Sequence, residues 1–248
     1  MNPSRSLLWT WPPVALPFDC KTLYQRLPPP NDAETRVAGV DEDLPLLVAV
    51  KRPEERQHVV KFLQVALENW KGGIPAPRDL PMLTRLNALN GLVRNAQALG
   101  IPSNLLQRND FKSPFNFQEP TSSASDAMPM HLRPTTLQKA VTHHIWVDLF
   151  PIPRVRDNIL RCIQAGEFER GRLCEELVCR DMITLDGTSS ASLSIWGEPW
   201  DAGSWEFSAG FFSTWGFLLH GCPEVLATTN YWREMRGEMR IDFVLHQE

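Results

Sequence analysis

The chain has 248 residues, a hydrophobic share of 43% and a formal net charge of −4 at pH 7. This length suits one large domain or two small ones, and the apolar content is enough for a packed core. Lys and Arg are scattered along the sequence, whereas a domain that grips duplex nucleic acid usually shows a basic patch or stripe. Composition and charge therefore argue against a protein that binds nucleic acid through a basic surface.

Cysteine usage and hydropathy indicate an intracellular protein. The five cysteines are an odd number, which argues against a closed disulfide framework, and Cys174 and Cys179 do not have a standard zinc spacing. No apolar run approaches the roughly 20 residues needed to span a bilayer, and the proline-containing N-terminus is not typical of a signal peptide. We expect no membrane association, no metal and no cofactor, and a location in the nucleus or cytoplasm.

The first half of the chain is predicted to contain an arm and two helices. Residues 1–52 are rich in proline, which favours an extended arm. A first helix is predicted from Pro53 to the Gly72–Gly73 pair, with Glu54 and Glu55 at its positive N-terminal end. A second is predicted over 80–99, where Gly100 ends it. Together they form a helical lead-in segment, residues 53–108.

The second half is predicted to be a tryptophan-rich helical domain, residues 131–248. Residues 109–130 contain Pro114, Pro120 and a run of small polar residues, which predicts a linker, with the alternative that 53–248 forms one domain. Helices are predicted from Pro134 to Phe150, over 154–164, over 167–179, after Ser208 and after Pro223. The connecting segments are a polar loop over 186–194, a turn over 196–201 and a stretch over 241–245 that could be extended. The predicted fold class is therefore mainly α.

Tryptophan is the most informative residue type in this half of the chain. Six of the nine tryptophans lie beyond residue 140, and acidic and basic residues are interleaved with them. A tryptophan combines a large apolar ring with one N–H group that needs a partner when it is buried. Such a set predicts either an amphipathic binding site or a tryptophan-heavy core. The core is favoured for any single tryptophan, whereas for Trp196, Trp200 and Trp205 together the two alternatives are balanced, because loops often carry binding residues. The candidate ligand-binding residues are Trp146, Arg156, Asp157, Trp196, Trp200, Asp201, Trp205, Trp215, Asn230, Trp232 and Arg233.

Arg156 and Asp157 are sequence neighbours and cannot face each other on a helix. Each needs a partner from elsewhere in the fold. We expect a network across helices with Arg233, Arg236 and Glu238, and a structural role for it rather than anion binding.

One short string has a catalytic appearance. His143, His144 and Asp148 match the H-H-x-x-x-D pattern of acyltransferases related to condensation domains, in which the second histidine acts as a base. Leu149 stands where those enzymes have glycine, and the chain lacks their strand-rich pattern. The alternative is that one histidine faces the core and the other makes a structural hydrogen bond. The phosphate-binding, nucleophile-elbow and zinc-protease motifs do not occur.

Several strings in order carry a family resemblance. They are LRPT at 132–135, HHIWVDLFPIPRVRDNIL at 143–160, WGEPWDAGSWEFSAGFFSTWGFLLHGC at 196–222 and TNYWREMRGE at 229–238, preceded by NALNGLVRNAQALGIP at 87–102. Together they resemble a fungal domain of unknown function that commonly lies C-terminal to a basic leucine zipper in transcription-factor-like proteins. The resemblance spans roughly residues 55–240. This chain departs from those proteins because it contains neither a basic helix nor a leucine heptad.

Three functional hypotheses follow. The first is a non-enzymatic regulatory or ligand-sensing protein that binds a small molecule or a regulatory partner protein, without DNA contact by a basic zipper. The second is an enzyme of fungal secondary metabolism centred on His143, His144 and Asp148 beside a tryptophan-lined pocket. The third is a reduced relative that has kept only its fold.

Overall fold

The structure, a computed structural model, describes residues 45–50, 52–74, 76–108, 111–116, 128–166, 173 and 192–243, except the side chains of residues 45, 70, 103 and 107. This part of the chain is mainly helical, as predicted. Its α-helices are α1 (Pro45–Val48), α2 (Pro53–Lys71), α3 (Leu80–Ala98), α4 (Thr136–Ala140), α5 (Pro153–Ala165), α6 (Ala209–Trp215) and α7 (Pro223–Met235). Its strands are β1 (Leu193–Ile195) and β2 (Trp205–Phe207). No helix in these ranges is long and apolar enough to cross a membrane.

The N-terminal arm was predicted to be extended through residue 52, and residues 1–44 and 51 lie outside the described ranges. At the end of this arm the prediction is wrong, because residues 45–48 form the short helix α1. Leu46 and Leu47 are fully buried, and α1 packs against α3. Burial of two leucine side chains therefore outweighs the extended tendency of the surrounding prolines.

The two long helices of the lead-in segment end where the sequence predicts. In α2, Val59, Leu63 and Ala66 are buried at the spacing of one helix face. Gly73 and Gly100 follow α2 and α3 with φ angles of 72° and 69°, a left-handed conformation that glycine adopts without strain. α3 is buried on more than one face, which makes it a central element of the fold.

The helix predicted from Pro134 to Phe150 is wrong in its length. Thr135 and Gln138 form a capping box that starts α4, but α4 ends at Ala140. The chain then runs past a single antiparallel bridge between Lys112 and His144 into a 3-10 helix, Ile145–Leu149. The β-branched residues Val141 and Thr142 disfavour helix, and the bridge gives the backbone another partner.

Parts of the predicted linker are ordered. Pro114–Asn116 and Met130–Leu132 are 3-10 helices, and the side chains of Phe115 and Met128 are buried. Residues 109–110 and 117–127 lie outside the described ranges. The predicted helix over 167–179 also lies outside them, apart from Leu173, which is helical and buried.

The two strands form an antiparallel hairpin between two helices. Ile195 pairs with Trp205, and Leu193 pairs with Phe207. The prediction of a polar loop over 186–194 is therefore wrong at residues 193 and 194, and residues 186–191 are outside the described ranges. α3 packs against β1, and α7 packs against β2.

α5 follows the sequence prediction closely, and α6 and α7 begin where the sequence predicts. The helix predicted from Ser208 to Gly221 is too long, because α6 ends at Trp215 and a 3-10 helix, Gly216–Leu219, follows it. The Ser208 hydroxyl accepts from the Phe211 amide and caps α6, and Pro223 occupies the first turn of α7. One continuous hydrophobic cluster extends from Leu46 to Val225, and Phe243 packs against it. The hairpin lies inside this arrangement, so its connecting loop is held from both sides.

Candidate functional site

The tryptophan loop, which we define as residues 196–204, joins β1 to β2. Its first side is held by α3. Asn95 Nδ2 donates to the carbonyl of Pro199 at 2.9 Å and to that of Leu149 at 2.8 Å. Asn87 Nδ2 donates to the Ile195 carbonyl at 2.6 Å, at the start of the loop. Two asparagines that are buried in α3 therefore fix the loop backbone from the lead-in segment.

The close approach of α3 to the hairpin requires a glycine. A Cβ atom on Gly91 would lie 2.5 Å from Ile195 Cδ1 and 3.3 Å from Pro199 Cβ. Arg94, one turn further on, forms an ion pair with Glu198 at 2.6 Å and lies over the ring of Trp200 at 5.1 Å. This end of the loop is therefore held by close packing against Gly91 and by the ion pair between Arg94 and Glu198.

The other side of the loop is held by α7. Trp196 stacks on Trp232 with ring centroids 5.5 Å apart and an angle of 17° between the rings. Trp232 Nε1 donates to the Gly203 carbonyl at 2.9 Å. The Arg236 guanidinium lies 4.5 Å from the centroid of the Trp196 ring and binds both carboxylate oxygens of Glu206 at 2.6 Å.

The residues of the loop and of the adjoining part of α7 differ in how far they are exposed to solvent. Trp196, Trp200 and Trp232 are half-buried, and Asp201 is exposed and caps the Ala202–Ser204 turn by accepting from the Gly203 amide. Tyr231, 53% exposed, meets Trp232 edge to face at 5.1 Å. We call Trp196, Tyr231 and Trp232, which are joined by ring contacts, the tryptophan face, whereas Trp200 lies against Arg94 at the α3 end of the loop.

Three other tryptophans from the predicted binding set are core residues. Trp146, Trp205 and Trp215 are buried, and Trp205 Nε1 donates to the carbonyl of Pro199. Trp205 also contacts Phe150 with ring centroids 5.4 Å apart. The structure therefore places these three apart from the tryptophan face, as parts of the hydrophobic interior.

A second group of polar side chains, centred on Arg156, comes from α4, α5 and the segment between them and is buried. Arg156 is fully buried and donates from Nε to Gln138 Oε1 at 2.8 Å. Its Nη atoms donate to the carbonyls of His131, Arg133 and Phe150. Burial lowers the pKa of Arg156 to about 10, and it remains a cation at neutral pH. The predicted network with Arg233, Arg236 and Glu238 is therefore wrong, because nearer carbonyl and amide acceptors satisfy Arg156.

Gln138 links Arg156 to the histidine and aspartate of the catalytic-looking string. Its Nε2 donates to Asp148 Oδ1 at 2.6 Å, and His143 Nε2 lies 2.8 Å from the same oxygen. His143 Nδ1 lies 2.6 Å from the Val141 carbonyl. We call Gln138, His143, Asp148 and Arg156 the Arg156 cluster. The buried Asp148 Oδ2 has no hydrogen-bond partner among the described residues.

Both ring nitrogens of His143 face acceptors, which indicates that the ring is doubly protonated, since a neutral ring carries only one N–H. Burial by itself lowers the pKa of His143. The hydrogen bond and charge of Asp148, together with the Val141 carbonyl, outweigh that effect and raise this pKa above 6.5. An imidazolium that is 3% exposed and bonded on both sides has no free nitrogen with which to accept a proton.

The remaining predicted residues lie at separate places. His144 Nε2 contacts the Arg108 carbonyl at 2.6 Å, away from the Asp148 carboxylate that His143 occupies. Asp157 accepts from the Thr135 hydroxyl at 2.6 Å. Asn230 and Arg233 bind backbone atoms of residues 239–241. The structure thus does not bring the eleven predicted binding residues into one site.

One family model matches part of the chain. Residues 112–226 match the family described as "Domain of unknown function (DUF3425)". The matched region contains the Arg156 cluster, the hairpin and the whole tryptophan loop. α3 and the last two turns of α7, which hold that loop, lie outside it. No curated protein and no solved structure matches the chain.

Some of the residues that organise these sites have little signal in the sequence. Gln138 was detectable, because a threonine three residues before a glutamine is a capping-box pattern. Asn87, Asn95 and Glu206 belong to no motif, and their roles depend on contacts with residues far away in the chain. Among the described residues no group of three or more His, Cys, Asp or Glu side chains could hold a metal ion.

Proposed function

We propose that this protein is a non-enzymatic regulatory module that binds a partner protein through the tryptophan face. The observation that carries the proposal is the half-buried Trp196–Trp232 pair, extended by the exposed ring of Tyr231 and held rigid by Arg236 and Glu206. Trp, Tyr and Arg are the residue types that dominate binding energy at protein interfaces. Because these rings are already held in place, they lose little conformational entropy when a partner binds.

The chemistry of the face favours an apolar contact over polar recognition. The indole N–H groups of Trp196 and Trp232 already donate to Glu206 and to Gly203. Their rings therefore offer flat apolar surface with no donor left to satisfy. Met235, which is exposed and one helical turn beyond Tyr231, can extend the same apolar strip with a side chain that adapts to different partner shapes.

The sequence resemblance supports a regulatory context for this binding. It points to fungal proteins in which such a domain accompanies a basic leucine zipper, and hence to transcription regulation linked to secondary metabolism. We propose that this region acts as a co-regulator in the nucleus or cytoplasm by contacting a regulatory protein. A small planar ligand is the other occupant that the tryptophan face could accept.

The enzymatic hypothesis has weaker geometric support. A catalytic base must lie within reach of substrate and hold a free lone pair. His143 and Asp148 are sealed in the Arg156 cluster, and the His144 ring contacts the Arg108 carbonyl. The geometry favours structural roles for all three residues.

The proposal is tested by quantitative affinity capture from an extract of the source cells, comparing wild type with Tyr231→Ala. We expect one or more partners to be retained by wild type and depleted at least about tenfold by Tyr231→Ala, because truncating an interface hot spot costs about 2 kcal/mol or more. Phe217→Ala is the matched control, since Phe217 is a similarly exposed aromatic residue (47%) that does not belong to the tryptophan face.

Two results would contradict the proposal. Equal retention of every captured protein by wild type and Tyr231→Ala removes the tryptophan face as the binding surface. A metabolite that raises the melting temperature of wild type but not of Tyr231→Ala, with no protein lost from the capture, assigns the face to a small molecule instead.

A further inference from the structure

The segment after α7, residues 238–243, folds back along that helix and is held through its backbone. The Asn230 side chain makes two hydrogen bonds to Ile241. Its Nδ2 donates to the Ile241 carbonyl at 3.0 Å, and its Oδ1 accepts from the Ile241 amide at 2.7 Å. An asparagine amide used in this way pairs with a peptide group much as a neighbouring β-strand does, and it places no demand on the side chain at position 241.

Further contacts hold the segment on either side of this pair. Arg233 Nε donates to the Met239 carbonyl at 2.7 Å, again to the backbone. Arg240 forms an exposed ion pair with Glu234 at 2.6 Å. Glu238, at the start of the segment, also pairs with Arg233 at 3.1 Å and with Arg236 at 3.0 Å. From residue 239 onward the segment is fixed by main-chain bonds and by the Arg240–Glu234 pair, which selects a basic residue.

One aromatic anchor completes the arrangement. The Phe243 ring packs 5.3 Å from that of Phe212 and directly over Gly216, where a Cβ atom would collide with it. Ile241 and Phe243 pack against the hydrophobic core, whereas Arg240 and Asp242 are exposed. This alternation is typical of an extended chain that presents every second side chain to a surface.

We propose that the groove formed by Phe212, Gly216, Asn230, Arg233 and Glu234 is a binding site for an extended peptide of a partner protein. The peptide carries a basic residue, an apolar residue, any residue and an aromatic residue in that order. Residues 238–243 of the chain occupy this groove as an intramolecular competitor. Main-chain hydrogen bonds supply affinity. The space over Gly216, which we call the glycine notch, accepts the aromatic ring and supplies specificity, and this combination is a known mode of peptide recognition.

The groove and the tryptophan face share no residue, although Glu234 neighbours Tyr231 on α7 and Glu238 pairs with Arg236. Asn230 and Trp232 are two residues apart on α7, so their side chains leave the helix about 200° apart. The inference deepens the proposed partner-binding role by adding a second, regulated contact. Because the two surfaces use different residues, either one can fail in experiment while the other holds.

The test uses a fluorescently labelled peptide with the sequence of residues 238–243 and the full-length protein, followed by fluorescence anisotropy. The attached segment competes at high effective concentration, so we expect weak binding to wild type. Phe243→Ala removes the aromatic anchor of the competitor, and we expect it to bind the peptide at least about tenfold more tightly. Met239→Ala is the matched control, because the Met239 side chain is 85% exposed and its affinity should equal that of wild type.

A double variant shows whether the peptide enters the notch. Gly216→Ala in the Phe243→Ala background places a methyl group where the ring has been removed, so the fold is retained while the peptide anchor is blocked. We expect the gain in affinity to disappear. A Phe243→Ala protein that is folded by circular dichroism and binds no better than wild type overturns the proposal.

A second measurement needs no variant. Hydrogen exchange of the wild-type Ile241 amide should accelerate when the peptide is added at millimolar concentration, because the peptide displaces the attached segment. Unchanged exchange at that concentration also overturns the proposal, even if Phe243→Ala fails to fold.

Discussion

The Arg156 cluster and the tryptophan loop are both built around an arginine, yet they are assembled in different ways. Every side chain of the Arg156 cluster comes from residues 138–156, and its carbonyl acceptors come from 131–150. The tryptophan loop depends on α3, about a hundred residues earlier in the chain, and on α7. The first is local in sequence and buried, whereas the second is long-range and half-exposed.

The difference shows how burial decides what a charged residue does. In the Arg156 cluster, water is excluded, so every charge needs a protein partner and the groups serve the fold. At the tryptophan loop, the ion pair of Arg236 with Glu206 lies beside the half-buried rings of Trp196 and Trp232, at the edge of the core. His143 and Asp148 of the string that looks catalytic in sequence belong to the first group, and the candidate binding surface belongs to the second.

Removing Arg156 should have the largest effect. Arg156→Met leaves three carbonyls without a donor, leaves Gln138 Oε1 with only the Thr135 amide, and leaves the Asp148 charge less compensated. We expect a loss of about 3–5 kcal/mol in the free energy of unfolding, measured by urea denaturation. Arg161→Met, on the exposed side of the same helix, should change it by less than about 0.5 kcal/mol. A small effect at Arg156 would mean that the cluster is open to water.

A methyl group at Gly91 should loosen the long-range contact between α3 and the hairpin. Gly91→Ala forces Ile195 and Pro199 to move, which costs about 1–3 kcal/mol, while the better helix propensity of alanine returns up to about 1 kcal/mol. We expect a net destabilisation of about 1 kcal/mol by thermal or urea unfolding. Gln97→Ala, exposed on the same helix, is the control. A stabilised Gly91→Ala protein would show that the hairpin does not pack closely on α3.

The Arg156 cluster should also give the protein a pH dependence. The folded-state pKa of His143 is raised, so its protonation stabilises the fold fully below the unfolded value of about 6.5, and this stabilisation is lost as pH rises through the folded pKa. Unfolding free energies of wild type and His143→Gln, measured from pH 5 to 9, should therefore converge as pH rises. A difference that grows with pH would contradict a protonated His143.

The smallest effect is expected at the surface of the tryptophan loop. A double-mutant cycle with Arg94→Met and Glu198→Gln should give a coupling energy of about 0–1 kcal/mol, because both side chains are solvated. The same cycle with Arg236→Met and Glu206→Gln should give more, since Glu206 is nearly buried and is bound through both oxygens. Equal couplings would remove the distinction between the two ends of the loop.

Much of the secondary structure was predictable because its signals are local. Prolines at the first turns of α2, α5 and α7, the Ser208 cap and the glycines after α2 and α3 all lie within a few residues of the helix ends that they define. The helix predicted from Pro134 to Phe150 was wrong because the bridge between Lys112 and His144 offered its backbone a partner from another segment. The hairpin strands are three residues long, too short to give a clear alternating pattern.

The sequence alone thus determined a mainly α protein, rich in tryptophan, with the correct ends for α2, α3 and α5 and the correct starts for α6 and α7. Only the tertiary structure decided which tryptophans are fully buried and which are half-buried. It also decided which groups bind the charged side chain of Arg156. The physical reason is that capping and periodicity depend on neighbours in the chain, whereas burial and pairing depend on neighbours in space. Trp196 and Trp205 lie on the same short hairpin, but Trp196 stacks on Trp232 of α7, whereas Trp205 is buried against Phe150 and donates to the Pro199 carbonyl.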